Sequence, residues 1–149
     1  MALVHEVLYR SKHFSGIEMS RYIDTLLASL LEAYGAEGRV KLEREVCDCR
    51  LGVDQASVLG LILNELVSNS LKHAFAGGRG GRLRVSFKSD GPERVLEVAD
   101  DGPGLPEGLD LREPKTLGLQ LVSTLARQLS GYFEAAPGEG SRMRVRFRQ

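Results

Sequence analysis

The sequence predicts an α+β domain: a two-layer α/β sandwich in which one mixed sheet carries helices on one face. Three observations lead there. Periodic segments run in the order α, α, β, α, β, β, loop, α, β, β. Turn signals such as SDGP and PGEGS join strands in pairs, while helices fall between the pairs. Finally, 149 residues without repeats or a linker suit one hydrophobic core.

The elements follow in order. Ala2 to Lys12 reads as a short helix with Leu3, Val4, Val7 and Leu8 in one stripe, too short to stand alone in water. Gly16 to Tyr34 is helical again: Ile17, Tyr22, Ile23, Leu26, Leu27, Leu30 and Leu31 form a broad apolar face, and Gly35 and Gly38 end it. In Arg39 to Val46, Val40, Leu42 and Val46 alternate with charge, as in a strand. Asp54 is placed to cap a long helix reaching Phe75, which AGGRGG then breaks. Arg82 to Lys88 and Arg94 to Ala99 read as strands, and DDGPGLPEGLDLREPK as a loop. Thr116 to Leu129 is a helix closed by Gly131, and Tyr132 to Ala135 and Arg142 to Arg148 complete the strands.

Composition excludes some functions. Twenty Lys+Arg balance twenty Asp+Glu, which argues against a dedicated nucleic-acid binder and its basic excess. No apolar run approaches the ~20 residues of a membrane span, and MALVHEVLYRSK has no signal-peptide pattern, so a cytoplasmic location without membrane contact is expected of this piece, whether a parent protein is soluble or membrane-anchored. Cys47 and Cys49 lack the further ligands of a zinc site. On an extended strand they are expected to stay free thiols in a reducing compartment.

The segment Leu61 to Phe75 carries the most chemistry. At helical spacing Glu65, Asn69, Lys72 and His73 fall within about 100° of one another, with Leu63, Leu66, Val67, Leu71 and Ala74 on the other side. A solvated polar face is the plain explanation, but Asn69 adds little to one, being a mediocre helix former. Its amide oxygen suits Mg²⁺, which keeps waters and phosphate oxygens in its shell, and Lys72 could meet a phosphate.

Period-2 alternation puts Asp100 on the inward face with Leu96 and Val98. A carboxylate there needs strong donors, and the exocyclic amine of adenine is one. Gly102 and Gly104 would let the backbone press against a flat ring, although Asp-Gly and Gly-Pro are also ordinary turn dipeptides. Thr116 can cap the helix beginning at Leu117, leaving the amides of Gly118, Leu119 and Gln120 for phosphate oxygens; a plain capped helix would look the same. The absence of GxxxxGK[ST] rules out a P-loop.

Taken in this order, the pieces resemble the superfamily of gyrase, heat-shock chaperone, histidine-kinase and mismatch-repair ATPases (GHKL). NELVSNSLKH is similar to its N box, DDGPG, TLGLQLV and GEGS to its three glycine boxes, and the match runs from about Arg39 to the end. The resemblance implies the Bergerat type of sandwich. It implies Asn69 as Mg²⁺ ligand, Glu65 and Lys72 as catalytic residues, and His73 beside the adenine. Asp100 would bind the adenine amine, with Gly102 and Gly104 along the ring. Gly118 and Leu119 would hold phosphate, and Gly140 and Ser141 would floor the pocket, Ser standing where Thr is commoner. Leu105 to Lys115 would be a short lid over ATP.

Within the superfamily, NELVSNSLKHAF and QLSG resemble sensor histidine kinases related to the HWE branch. His73 fits that branch, but its hallmark tryptophan is missing, which favours the sister group with the second type of dimerisation domain. VHEVLYRS would then end the second dimerisation helix, making residues 1–15 its stub and 16–149 the ATP-binding catalytic domain. The resemblance implies transfer of the ATP γ-phosphoryl to a histidine on a dimerisation domain upstream, with a response regulator receiver domain downstream. His5 and His13 are not expected to accept phosphate. Alternatives are a serine kinase like the anti-sigma-factor relatives, a hydrolytic ATPase of the gyrase branch, and a nucleotide-dead docking module. Arg142, Arg144, Arg146 and Arg148 alternate with Met143, Val145 and Phe147, as do Arg82 and Arg84 earlier. A solvated sheet face balanced by acids explains this better than a docking surface for an acidic partner.

Overall fold

The computed structural model describes residues 16–104, 116–136 and 140–148. The expected helix at Ala2 to Lys12, the stub at residues 1–15 and the lid at Leu105 to Lys115 lie outside them, as do Gly138 and Glu139 of the third glycine box.

The described chain opens with a two-residue strand, β1 (Ile17–Glu18), and enters helix α1 (Met19–Ala33). Gly35, at φ +61°, ends α1. The amides of Gly35 and Ala36 donate to the carbonyls of Glu32 and Leu31, so a left-handed glycine satisfies the last turn as expected. Strand β2 (Val40–Val46), a second short strand β3 (Arg50–Leu51) and the long helix α2 (Val53–His73) follow. Then come β4 (Gly81–Asp90), β5 (Glu93–Asp100), α3 (Leu117–Gln128), β6 (Tyr132–Ala135) and β7 (Ser141–Arg148).

Five strands form one sheet in the order β2-β4-β5-β7-β6. β2 pairs with β4 in parallel and the other neighbours are antiparallel, so the sheet is mixed as predicted. Its inner face carries Leu83, Val85 and Phe87 of β4, Leu96 and Val98 of β5, and Met143, Val145 and Phe147 of β7, all buried against α1, α2 and α3. Phe87 and Phe147 stack at 6.2 Å between ring centroids.

The outer face is charged, and its cations are balanced across strands. Glu97 takes Arg142 and Arg144, Glu43 takes Arg84, and Arg146 reaches Asp90 and Glu134. The hydrogen bond from Arg84 holds the Glu43 carboxyl below its ordinary range. The alternating arginines are thus a solvated face with its own counter-charges.

Four expectations change. Cys47 and Cys49 are joined in a disulfide rather than free. β2 stops at Val46, so both lie on a bend with Cα atoms 5.4 Å apart, closer than the roughly 6.6 Å of two extended residues. β1 and β3, paired antiparallel, were not read as strands, since two residues carry no periodicity. Gly52, not Asp54, is the N-cap of α2; Asp54 sits inside the first turn. The helix expected to be closed by Gly131 turns one residue earlier, at Ser130, whose φ of +58° is left-handed. Gly131 is needed for another reason: a Cβ there would lie 1.9 Å from the Arg146 carbonyl oxygen.

One core contact is unusually close. Gly60 on α2 makes a notch for Tyr22 of α1; a Cβ at Gly60 would sit 2.0 Å from the phenol oxygen. Tyr22 is 1% exposed and its hydroxyl has no partner among the described residues. Gly60→Ala should therefore cost about 1–3 kcal/mol through overpacking. Tyr22→Phe should be neutral or stabilising and should recover part of that loss in the double variant, as read by urea denaturation.

Burial pushes the Tyr22 phenol above its ordinary value. Below about pH 10 both folded and unfolded phenols are protonated and the group adds no pH dependence. Above it the unfolded state ionises first, so stability falls as pH rises further. Melting curves from pH 8 to 11 should show a steeper alkaline loss in the parent than in Tyr22→Phe.

Candidate functional site

A cavity of about 270 Å³ opens where the end of α2, the end of β5 and the starts of α3 and β7 meet. Its walls are Asn69, Ser70, His73 and Ala74 from α2, Asp100, Pro103 and Gly104 from β5 and its following loop, Thr116 and Leu119 from α3, and Ser141 from β7. The volume falls just under the ~300–1,000 Å³ usual for small-molecule clefts.

Asp100 is the buried acid of this cavity, 7% exposed, on the inward face with Leu96 and Val98 as the alternation predicted. Three donors hold its carboxylate. Oδ1 accepts the backbone amides of Gly102 at 3.0 Å and Ser141 at 3.3 Å, and Oδ2 accepts the Ser70 hydroxyl at 2.7 Å. Charge-assisted bonds of this kind offset the cost of burial. Nearby, the Ser141 hydroxyl is buried with no partner among the described residues, so the cavity wall keeps an unused polar group beside a carboxylate.

Two glycines make this close packing feasible. A Cβ on Gly102 would lie 2.5 Å from the Ala74 Cβ, and one on Gly140, at φ +71°, would lie 2.0 Å from the Asp100 carbonyl oxygen. The loop after β5 thereby rests directly on the end of α2. Gly104 also has a left-handed backbone, at φ +89°.

The polar residues of α2 divide. Asn69, half-buried, and His73, exposed, both line the cavity. Glu65 is half-buried and points at the start of α3, where a Cβ on Gly118 would meet its Oε2 at 3.0 Å. Lys72 is not in the cavity wall; its ammonium lies over the Tyr34 ring, 5.9 Å from the centroid. Thr116 caps α3 as expected, its side chain accepting from the Leu119 amide at 3.3 Å. The Gln120 amide donates to the Thr116 carbonyl. Of the three amides expected free, Gly118's is the one without such a bond among the described residues.

Sequence reasoning passed over Ser70, Ala74, Pro103 and Arg39. Ser70 is 2% exposed and falls in the middle of the apolar arc of α2, between Leu66 and Leu63, where a small hydroxyl opposite a buried acid was the available signal. Arg39 works from a distance, donating to the carbonyls of Phe75 at 3.0 Å, Arg79 at 2.7 Å and Gly35 at 3.2 Å, and so pinning the end of α2 to the turn after α1.

Comparison with known proteins bears on family and fold. The family model described as Histidine kinase-, DNA gyrase B-, and HSP90-like ATPase matches residues 54–149, and one described as Histidine kinase matches residues 1–34. The sensor histidine kinase PdtaS of Mycobacterium tuberculosis is 33% identical over 129 residues, covering 84% of this chain and 25% of the relative. The blue-light-activated histidine kinase 2 of Erythrobacter litoralis is 27% identical, covering 89% of this chain and 41% of the relative. The chain therefore spans less than half the length of either. Among solved structures, the histidine kinase domain of the Erythrobacter litoralis EL346 blue-light-activated kinase superposes with a TM-score of 0.84 at 22% identity. That match covers 98% of this chain and 70% of the other, a likeness of fold.

The contact between Gly102 and Ala74 yields a test of the geometry itself. Gly102→Ala should lower the unfolding free energy by about 1–3 kcal/mol, and adding Ala74→Gly should return part of it. Equal stability of Gly102→Ala and the parent in chemical denaturation would contradict the described approach of loop and helix.

Proposed function

Because the chain belongs to the histidine kinase-, DNA gyrase B- and HSP90-like ATPase family, we propose that it is the ATP-binding catalytic domain of a two-component sensor histidine kinase. Its reaction is transfer of the γ-phosphoryl of ATP to a histidine nitrogen on a separate dimerisation domain, from which a response regulator receiver domain takes it. The observation that carries this reading is that Asp100 and Asn69 line one cavity from opposite elements.

In this reading Asp100 accepts from the adenine amine, and the Ser141 hydroxyl, without a partner among the described residues, has the ring nitrogen beside it. His73, Gly102, Gly104 and Gly140 surround the base. The donor set fits Mg²⁺ in a particular way. Among the described residues no group of three or more His, Cys, Asp or Glu could hold a metal. The Asn69 amide oxygen would be the protein's contribution to a shell otherwise supplied by phosphates and water. Bound there, the ion would neutralise phosphate charge.

Leu119 and Gly118 put the start of α3 by the phosphates, where the helix end favours anions. Lys72 reaches a phosphate only by leaving the Tyr34 ring, a rotation open to an exposed side chain. Glu65 would orient the incoming imidazole or take its proton as the phosphorus–nitrogen bond forms and the bond to the β-phosphate oxygen breaks. No described helix is long and apolar enough to cross a membrane; the proposed reaction belongs in the cytoplasm, where ATP and receiver domains are found.

Calorimetry with ATP and GTP, with and without Mg²⁺, tests the site. ATP should bind at least about tenfold tighter than GTP, roughly 1.4 kcal/mol, and Asp100→Asn should remove the preference. Asn69→Ala should abolish the gain from Mg²⁺; Mg·ATP binding that survives this change would end the assignment. With the parent kinase's dimerisation domain supplied, labelled phosphate should appear in an acid-labile, alkali-stable form. Acid-stable label would point to serine instead.

A further inference from the structure

The bond between Ser70 and Asp100 has more to it than burial. A serine in a helix can return its proton to the carbonyl one turn back; Ser70 instead spends it on Asp100 Oδ2, 2.7 Å away on the neighbouring strand. Both residues line the cavity, both are buried, and Ser70 directly follows Asn69 in α2.

We infer that Ser70 is a specificity-determining residue, positioning Asp100 as an acceptor for the exocyclic amine of a 6-aminopurine; this rests on the nucleotide reading above. A carboxylate offers about four lone-pair sites. Oδ1 is filled by the Gly102 and Ser141 amides, and Ser70 takes one of the two on Oδ2. One acceptor site remains for a ligand, and the Ser70 bond fixes its direction. With its only proton committed, the Ser70 oxygen itself offers only lone pairs to the cavity. Beside them the Ser141 hydroxyl is buried without a partner among the described residues. The wall therefore reads acceptor, acceptor, hydroxyl. An amine next to an unprotonated ring nitrogen matches that order, whereas a 6-oxo purine sets an acceptor against the carboxylate. Without Ser70, Oδ2 gains a second open site and loses a donor, so the carboxylate can turn or take up water and the preference weakens.

Ser70→Ala separates this role from simple packing. The probes are ATP and purine riboside 5′-triphosphate, which lacks the amine, each titrated calorimetrically into the parent, Ser70→Ala, Asp100→Asn and the double variant. The parent should prefer ATP at least about tenfold, and Ser70→Ala should shrink that ratio by threefold or more with the purine triphosphate's affinity unchanged. In the Asp100→Asn background, Ser70→Ala should move the ratio no further, because it acts through the acid. A purely structural serine would weaken both nucleotides in proportion. An ATP preference undiminished in Ser70→Ala would overturn the inference and leave the ATP site standing. A parent that binds both nucleotides equally, or neither, would overturn both.

Discussion

A carboxylate taken out of water has to be repaid in donors, and the site is organised around that requirement. Asp100 draws one donor from α2, one from the loop after β5 and one from the start of β7. These three segments also form most of the cavity wall. Satisfying one buried charge thus sets the spacing of the walls, and removal of the one side-chain donor, the Ser70 hydroxyl, leaves a desolvation penalty of about 1–3 kcal/mol.

The helix that supplies Ser70 serves two layers. Its apolar side, with Ile62, Leu63, Leu66 and Val67 each at most 1% exposed, is held in the core. Its other side carries Asn69 and His73 to the cavity and Glu65 to the start of α3. Arg39 fastens its far end through carbonyls on both sides of the turn at Ala76. The functional groups stand on a rigid element, and rotation is left to long exposed side chains such as Lys72.

Much of this was legible in the sequence where spacing decides the outcome. The inward Asp100, the two-sided character of α2, the Thr116 cap and the mixed sheet all follow from periodicity or capping chemistry. Legibility stopped where a tertiary contact or an unusual backbone decides. Ser130 adopts a left-handed turn that propensity would give to a glycine, and the bend after Val46 closes Cys47 on Cys49. A helical wheel puts Lys72 among the site residues, but the direction of a four-carbon stem depends on Tyr34, which is remote in sequence. Ser70 lay hidden for the same reason: its meaning comes from a carboxylate thirty positions away.

The parallel pairing of β2 with β4 has a mechanical corollary. Parallel neighbours need a long excursion between them, and here that excursion contains α2. The cavity-lining helix cannot peel away without tension on the edge strand of the sheet at one end and on an interior strand at the other. Amide protons along its buried side should accordingly be among the last in the molecule to exchange with solvent.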